Sequence, residues 1–558
     1  MDYSLLGGYD DAKRTFLANV SPRYRSLDNL DAWAHGRQYD GRPDWFSLDD
    51  RPLWEKAPCI VYLLALESMQ QKVSLVLGEE RFPLVTSSPG EDDEVFDDEL
   101  GLDKESSETL DRFIKSAFEQ SRFCSVAREV LQHGQEVGSA VAIFGVRNGK
   151  LFVDTMKAQW CEPDLDIDGN CTRLEIRYPY LDPYKAPDGK WKVRVKLYRR
   201  VIDAQADTVY KPVEADKDGR DVPQNAVQEK VVHGFGFCPV RWYPFMRGCS
   251  TANQIDGKAV HALFLDEIQG LDFALSQRHR AALFGADPLI TEVGVTPGYS
   301  PTEIGRTPVI PFAGAGEQLG PGTKAQYAEA PTAPARKKGS GVVWQYENPE
   351  TRVEMHCLPG DAFEAVSKHA DDLRQKLCDM LSHVPLDPES IKFAATVSGK
   401  AMEALREREL TRCGEIRDDF GDRFLVPAVK MLLRICLHFV KNGGLKVAGL
   451  KKVAPILSKF IEEDPTLRLV WGSYSKPAPD EEQMITATVS TAKTAGLITD
   501  TMALTKLRSI FAIGDIAEAL EALRKEKLEN QANAVEHAGN MAKVAPPKPG
   551  AFGAKEAE

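Results

Sequence analysis

The chain has 558 residues, 43% hydrophobic and 27% charged, with a formal net charge of −13. It is too long for one core, so two to four modules are expected, and too apolar for wholesale disorder. The negative balance excludes a surface that grips nucleic acid by neutralising phosphates, but not one that a duplex slides past.

The start, MDYSLLGGYDDAKR, has no apolar core behind a basic segment. No window approaches the ~18 uninterrupted apolar residues of a membrane span. The best, Val426–Val440, is broken by Lys430, Arg434 and His438. A cytoplasm-like compartment and no membrane are therefore expected. The ten cysteines run from Cys59 to Cys436 without CxxC pairs or zinc spacing, which suits reduced thiols. Cys161 and Cys171 flank an expected hairpin and could in principle bridge.

In chain order, Asn29–Asp49 carries Trp33, Tyr39, Trp45 and Phe46 among Gly and Asp and reads as an irregular packed arm. Ile60–Val76 reads as a helix. Glu91–Leu100, with seven acidic residues in ten, reads as a solvated loop. Ser107–Gly138 has a helical apolar period through Leu110, Ile114, Phe118, Phe123, Val126, Val130 and Leu131. Alternation predicts strands at Ala140–Val146, Lys150–Thr155, Leu174–Pro179 and Trp191–Val201, with turns at Asn148-Gly149, Asp168-Gly169 and Asp188-Gly189. Val231–Tyr243 adds another strand. These elements make an α+β domain with an antiparallel sheet.

Two long amphipathic helices follow, at Thr251–Phe284 and Asp361–Val384. Residues 286–352 between them hold nine prolines and nine glycines among 67 positions, which excludes a helix and suggests a β-rich insert. On the second helix Phe363, Val366, Ala370, Leu373, Leu377, Met380 and Val384 recur three and four apart, the seam of a rod packed on neighbouring rods. Such a rod is ~36 Å long. Beside the seam, Glu364, Lys368, Asp372 and Lys376 alternate in sign four apart. That stripe is either a salt-laced solvated face or complementary pairing between identical helices around a ring.

The loop Pro385–Ser398 is long for a junction of two helices, which points to function. A third long helix, Lys400 to about Val440, is expected to bend at Pro427. Leu467–Tyr474 reads as a strand, Pro479–Ala495 and Asp500–Ile510 as short helices, Ile513–Asn533 as a helix, and Ala545–Glu558 as a disordered tail.

Signatures of chemistry are weak. Asp164, Asp166, Asp168 and Glu175, with Gly169, satisfy the acidic pattern of a calcium loop. The flanks Leu151–Trp160 and Leu174–Tyr180 read as strands, however, so an acidic hairpin turning at Asp-Gly is preferred. Gly314–Gly320 has glycines without phosphate-loop spacing, and no Walker lysine, GxSxG elbow or HExxH motif occurs. His369 and His383 fall on the second long helix in packing or partly exposed positions. No catalytic residue, metal or cofactor is expected. The rival reading is a metal-dependent nuclease or hydrolase using the cluster Asp164–Glu175.

Four stretches together resemble the portal proteins of tailed bacteriophages. They are HGQEVGSAVAIFGV (His133–Val146), FCPVRW (Phe237–Trp242), the helix–loop–helix PGDAFEAVSKHADDLRQKLCDMLSHVPLDP…VSGKAMEAL, and VWGSYSKPAPDEEQM followed by TAKTAGLITDTMA. The resemblance covers most of the chain as a distributed pattern. It implies an α+β portal-like fold: an arm and wing over 1–250, stem helices at 251–285 and 353–384, and a β-rich clip at 286–352. A tunnel loop at 385–398, a long kinked helix and wing return at 399–510, and a helical crown with a tail at 511–558 would complete it. The insert is more Gly/Pro-rich, and the arm longer, than is common in that family.

The resemblance further implies a non-enzymatic ring, commonly of twelve copies, at one capsid vertex of the virion, assembled in the bacterial cytoplasm. Double-stranded DNA would enter and leave through it. Partners would be the terminase large subunit, then head-completion or adaptor and tail proteins, with capsid and scaffold proteins around it. Phe363, Val366, Leu373, Leu377 and Met380 would form the stem seam, and Glu364, Lys368, Asp372 and Lys376 an inter-subunit charge stripe. Lys392, Phe393, Thr396 and Lys400 would face the DNA. A non-portal scaffold or adaptor is a third reading.

Overall fold

A computed structural model of the chain describes residues 22–43, 45, 51–78, 81–87, 104–185, 187, 191–214, 226–246, 255–286, 289–293, 352–356, 360–385, 406–447, 449–463, 467–472, 474, 479–507, 519–520 and 522–529. Helices α1 (Pro22–Ala34) and α2 (Leu64–Leu77), strand β1 (Leu84–Thr86), and helices α3 (Lys104–Ser121) and α4 (Phe123–Val137) come first. Strands β2 (Ser139–Arg147), β3 (Lys150–Lys157), β4 (Cys161–Leu165), β5 (Cys171–Lys185) and β6 (Trp191–Asp203) follow. Then come β7 (Ala206–Tyr210), β8 (Val213–Glu214), β9 (Val227–Val232) and β10 (Val240–Pro244). Helix α5 (Leu265–Ala286), β11 (Leu289–Val293), β12 (Arg352–His356), α6 (Gly360–Met380), α7 (Glu407–Phe420) and α8 (Val426–Asn442) are next. Helix α9 (Leu450–Glu463), β13 (Arg468–Val470), α10 (Pro479–Thr494) and α11 (Asp500–Leu507) end the series, and residues 522–529 are helical. The class is α+β, as the patterning implies.

The chain divides into two units. Met1–Asp40, Leu63–Leu265 and Leu377–Glu558 form the first, Gly41–Tyr62 and Asp266–Lys376 the second.

The first unit is organised by β2, which lies antiparallel between β10 and β3. Successive side chains of a strand point to opposite faces. Ala140, Ala142 and Phe144 enter a core lined by α3, α4, α7, α8 and α9, while Val141 and Ile143 enter a second with Leu174, Ile176, Ile202 and Trp242. Both faces of β2 are covered, so its apolar run needs no polar side. The β2–β3 turn has Asn148 at φ 53° and Gly149 at φ 74°, the backbone that an Asn-Gly hairpin requires. A second antiparallel sheet has the order β4-β5-β6-β7-β9. Its longest pairing, β5 with β6, runs from Arg173 opposite Asp203 to Lys185 opposite Trp191.

Several boundaries differ from the expectation. The helix expected over Ser107–Gly138 breaks at Arg122, whose φ is 56°. Residues five apart on a straight helix point ~140° apart. The break lets Phe118 and Phe123 stack in one core, with ring centroids 4.6 Å apart. Val231–Tyr243 is two strands in different sheets, β9 and β10, because Gly234 and Gly236 at positive φ turn the chain between them. The supposed irregular arm begins as a helix, α1. Helix α9 was hidden by its internal Pro455, yet Val453, Leu457 and Phe460 on it are buried.

Pro427 does not sit in the interior of one long helix, as expected, but at the start of a second one. A π-turn at Gly421–Leu425 joins α7 to α8 and places Pro427 in the first turn of α8. Proline deprives the carbonyl four residues earlier of a donor. That carbonyl, Arg423 O, accepts instead from Arg241 Nε at 3.0 Å and Nη2 at 2.7 Å. A side chain on β10 thus replaces the missing backbone hydrogen bond.

The helix expected at Thr251–Phe284 starts only at Leu265. Arg23 holds Asp256 through two bonds of 2.6 and 2.8 Å, and Trp242 Nε1 donates to Ile255 O at 3.0 Å, so the preceding residues are drawn into other pairings. Gly257 lies flat on the chain, since a Cβ there would come within 2.0 Å of Phe245 O.

In the second unit α5 runs into β11, and β12 into α6. The two strands pair antiparallel, from Leu289 opposite His356 to Val293 opposite Arg352. Leu373 of α6 sits 4.0 Å from where a Cβ of Gly270 on α5 would be, and Arg278 pairs with Asp371 at 3.3 Å. The buried polar pair Asp272 and Ser276 on α5 fastens an extended segment: Tyr62 N donates to Asp272 Oδ1 at 2.8 Å, and Ile60 N to Ser276 Oγ at 3.0 Å. Trp45 packs on Phe273, with ring centroids 5.5 Å apart. Of the expected clip, 286–352, only Ala286, Leu289–Val293 and Arg352 belong to the described residues.

Candidate functional site

The seam on α6 is only partly covered within one chain. Phe363 is 38% exposed, Val366, Leu373 and Met380 are half-buried, and Ala370, Leu377 and Leu381 are buried. Glu364, Lys368, Asp372 and Lys376 are all exposed and make no ion pair among the described residues. The stripe is therefore a solvated face within one chain, not laced by salt bridges along its own helix among the described residues.

Helix α6 was expected to reach Val384, but it ends at Met380. Ser382 adopts φ 48°, its N–H donates to Asp379 O at 3.2 Å, and His383 N donates to Cys378 O at 2.9 Å. These two bonds and the left-handed residue make a Schellman stop. Pro385 reinforces it by disfavouring a helical Val384.

Just beyond that stop, the chain is held by buried charges that periodicity did not reveal. Lys72 on α2 is 1% exposed and donates from Nζ to Ser68 Oγ at 2.8 Å and to Leu381 O at 2.5 Å. Burial pulls its pKa down to about 8, against the opposing influence of Cys413 and Glu409. Glu409 on α7 accepts from Val384 N–H, and Arg406 pairs with it at 2.5 Å. Burial raises the Glu409 pKa despite these partners. Gln71 Nε2 donates to Val384 O at 3.4 Å. The segment Leu381–Val384 is therefore gripped from α2 and α7. A signal was present: Lys72 lies on the same face as Met69, Val73 and Val76, where an unpartnered ammonium would be costly. The loop residues Lys392, Phe393, Thr396 and Lys400 lie outside the described residues.

The candidate calcium ligands do not converge. Asp164 to Glu175 spans a β4–β5 hairpin in which Glu175 sits opposite Glu162. Its carboxylate accepts from Arg173 at 2.7 Å and Arg199 at 2.9 Å. Arg173 also reaches Asp164 at 3.3 Å, and Asp166 accepts from Asn170 N at 2.7 Å. Arginines and turn amides occupy the oxygens that a calcium ion would need. Cys161 and Cys171 stand at opposite ends of this hairpin, opposite Ile176 and Leu165, and both are free.

No family model matches the chain, and no curated protein is significantly similar to it.

One group of three ligand-type side chains, Asp31, His35 and Glu136, has its atoms within 4.8 Å of one another. Asp31 is already held by Lys157 at 2.8 Å and Arg37 at 2.5 Å. Burial alone would raise its pKa, but the Lys157 hydrogen bond and the charges of Lys157, Arg37 and His35 leave it lowered. Burial brings nearby His133 and His261 down to about 4, so both are neutral at pH 7. The two acids and two cations balance, and a divalent ion would have to displace a cation. The arrangement is a salt-bridge network around the buried carboxylates Asp31 and Glu136, its cations reaching solvent, that ties α1 to α4 and β3. Among the described residues no helix is long and apolar enough to cross a membrane.

Proposed function

We propose that this chain is the subunit of a portal ring: a closed homo-oligomer at one vertex of a phage capsid, through which double-stranded DNA is packaged and ejected. The observation that carries this is the half-covered seam of α6. Its apolar edge has the periodicity of a packed rod, yet one chain leaves Phe363, Val366 and Leu373 partly open. Side-by-side closure of identical subunits covers such an edge without leaving a free end.

The pairing of α5 with α6, continued by β11 and β12, supports the stem reading. The negative net charge supports passage rather than capture of a duplex. Work in this reading is mechanical. The seam closes the ring, the charge stripe selects register between neighbours, and Lys392 or Lys400 gives transient contact with the duplex. The clip, 286–352, would meet the terminase large subunit and later the head-completion proteins. Residence in the virion follows from that role.

Electron microscopy of the purified protein is the direct test. A ring with a central channel is expected; a lone particle, or an assembly without a hole, would end the proposal. Lys392→Ala is expected to leave rings intact while altering DNA packaging or retention.

A further inference from the structure

Chain self-association, the premise of the ring, has a second foothold in the β5–β6 ribbon. The ladder stays in register out to Lys185 opposite Trp191, yet none of Tyr180–Lys185 or Val193–Lys196 is buried. Most of these residues are half-buried, and beyond the short β8 pairing at Lys196 and Leu197 the ribbon is two-stranded, which is marginal on its own. Its composition is that of a binding surface rather than a solvated loop.

Cross-strand partners share a face. One face presents Tyr180 beside Lys196 and Asp182 beside Arg194, and the other presents Leu181 beside Val195 and Pro183 beside Val193; the backbone of Tyr184 is in register with that of Lys192. On the first face the Arg194 guanidinium lies 4.8 Å from the Tyr184 ring centroid. Asp182 is shared by Arg194 at 2.8 Å and Lys196 at 2.7 Å. Further along, Tyr178 and Tyr198 follow with centroids 4.9 Å apart. Tyr and Arg dominate the energetics of protein–protein contacts.

The charge indicates the partner. The outer half, Tyr180–Lys185 with Trp191–Lys196, carries four Lys and Arg against one Asp, with Glu214 of β8 4.0 Å from Arg194, in a chain whose net charge is −13. The densest opposite charge in the sequence is EDDEVFDDEL, Glu91–Leu100, with seven carboxylates around Val95 and Phe96. Extended, ten residues span about 33 Å, and Tyr178–Lys185 spans about 27 Å. The run supplies carboxylates for the cationic face and two apolar side chains for the other.

We infer that the outer half of the β5–β6 ribbon docks the acidic run Glu91–Leu100 of a second copy of this chain. The inference rests on self-association but not on the presence of a channel. Nucleic acid is less suited to this ribbon, because the face with Leu181, Val193 and Val195 offers a phosphate backbone nothing and the chain's net charge is −13.

The test uses full-length protein assembled from a mixture of unlabelled and 15N-labelled subunits. A carbodiimide joins carboxylates to lysine amines with no spacer. Mass spectrometry is expected to find mixed-label links from Glu91–Glu99 to Lys185, Lys192 or Lys196. These should fall at least tenfold in 1 M salt, which screens exposed charge pairs, and in the quadruple variant Asp92→Asn, Asp93→Asn, Asp97→Asn, Asp98→Asn. Rings without such links would overturn the docking surface and leave the portal reading intact. Links confined to one label would overturn docking between copies. Mixed-label links in an assembly without a channel would sustain the docking surface and remove the portal reading. If the ribbon instead binds a fluorescent DNA duplex, weakened by Lys192→Gln with Lys196→Gln while no links form, the partner is nucleic acid and the inference fails.

Discussion

Helices α8 and α6 carry similar apolar periods but meet different fates. On α8, Val429, Leu432, Leu433, Ile435 and Cys436 are all 2% exposed or less. They pack with Phe123, Phe420 and Phe424 in the main core. On α6, Phe363, Val366 and Leu373 are left partly open. Apolar spacing shows that a helix has a buried edge; it does not show whether the burying surface belongs to the same chain. In the portal reading the difference separates a helix completed by folding from one that a neighbouring subunit completes.

A charge placed on each edge separates the two helices most strongly. Leu433→Asp should cost about 4 kcal/mol or more and unfold the subunit, because it buries an unpaired carboxylate. Val366→Asp or Phe363→Asp should change the melting of the isolated subunit by less than about 1 kcal/mol, yet abolish rings in native mass spectra. Leu377→Asp is a poor probe of assembly, since Leu377 is already buried within one chain. Were Val366→Asp to unfold the monomer, α6 would be an ordinary core helix.

The next prediction concerns the grip on the chain after α6. The Lys72 pKa falls from 10.5 to about 8 on folding. Between those values the unfolded chain binds the extra proton, so this lysine's contribution to stability rises with pH across that window. Below pH 8 its burial costs roughly 3 kcal/mol. Other groups titrate in the same range, so the readout is the difference between wild type and Lys72→Met. The stability advantage of the variant should shrink by about that amount from pH 7.5 to 10.5. A constant difference would place the ammonium in a solvated site.

Much of this was legible from local pattern. The Asn148-Gly149 hairpin, the alternation in β2 and the two rods of the second unit followed from turn chemistry and period. What escaped notice depends on residues far apart in the chain. Arg122 breaks a good helical period because Phe118 and Phe123 must share a core. Helix α5 starts late because Asp256 is claimed by Arg23, more than two hundred residues earlier. The calcium pattern was formally correct, but Arg173 and Arg199 occupy its oxygens.

Helix α8 depends on a distant side chain at its entrance, which allows a smaller test. Arg241→Ala should cost about 2 kcal/mol by orphaning Arg423 O. In a Pro427→Ala background the restored N–H can satisfy that carbonyl, so the same change should cost less than half as much. A double-mutant cycle with no coupling would show that the guanidinium acts through packing, or through Asn170 Oδ1, to which it also donates at 3.1 Å.

The smallest expected effect lies at the end of α6, where one left-handed residue shapes the stop. Ser382 holds φ 48° in a Schellman stop, a conformation that costs an L-residue roughly 1 kcal/mol and glycine almost nothing. Ser382→Gly should therefore stabilise the subunit by about 0.5–1 kcal/mol in denaturant titration, less the entropy that glycine adds to the unfolded chain. Because this residue shapes the stop and not the seam, rings should assemble with unchanged salt dependence. A loss of stability would mean that α6 is free to run on toward Val384, and that the grip of Lys72 and Glu409, rather than the cap, is what ends it.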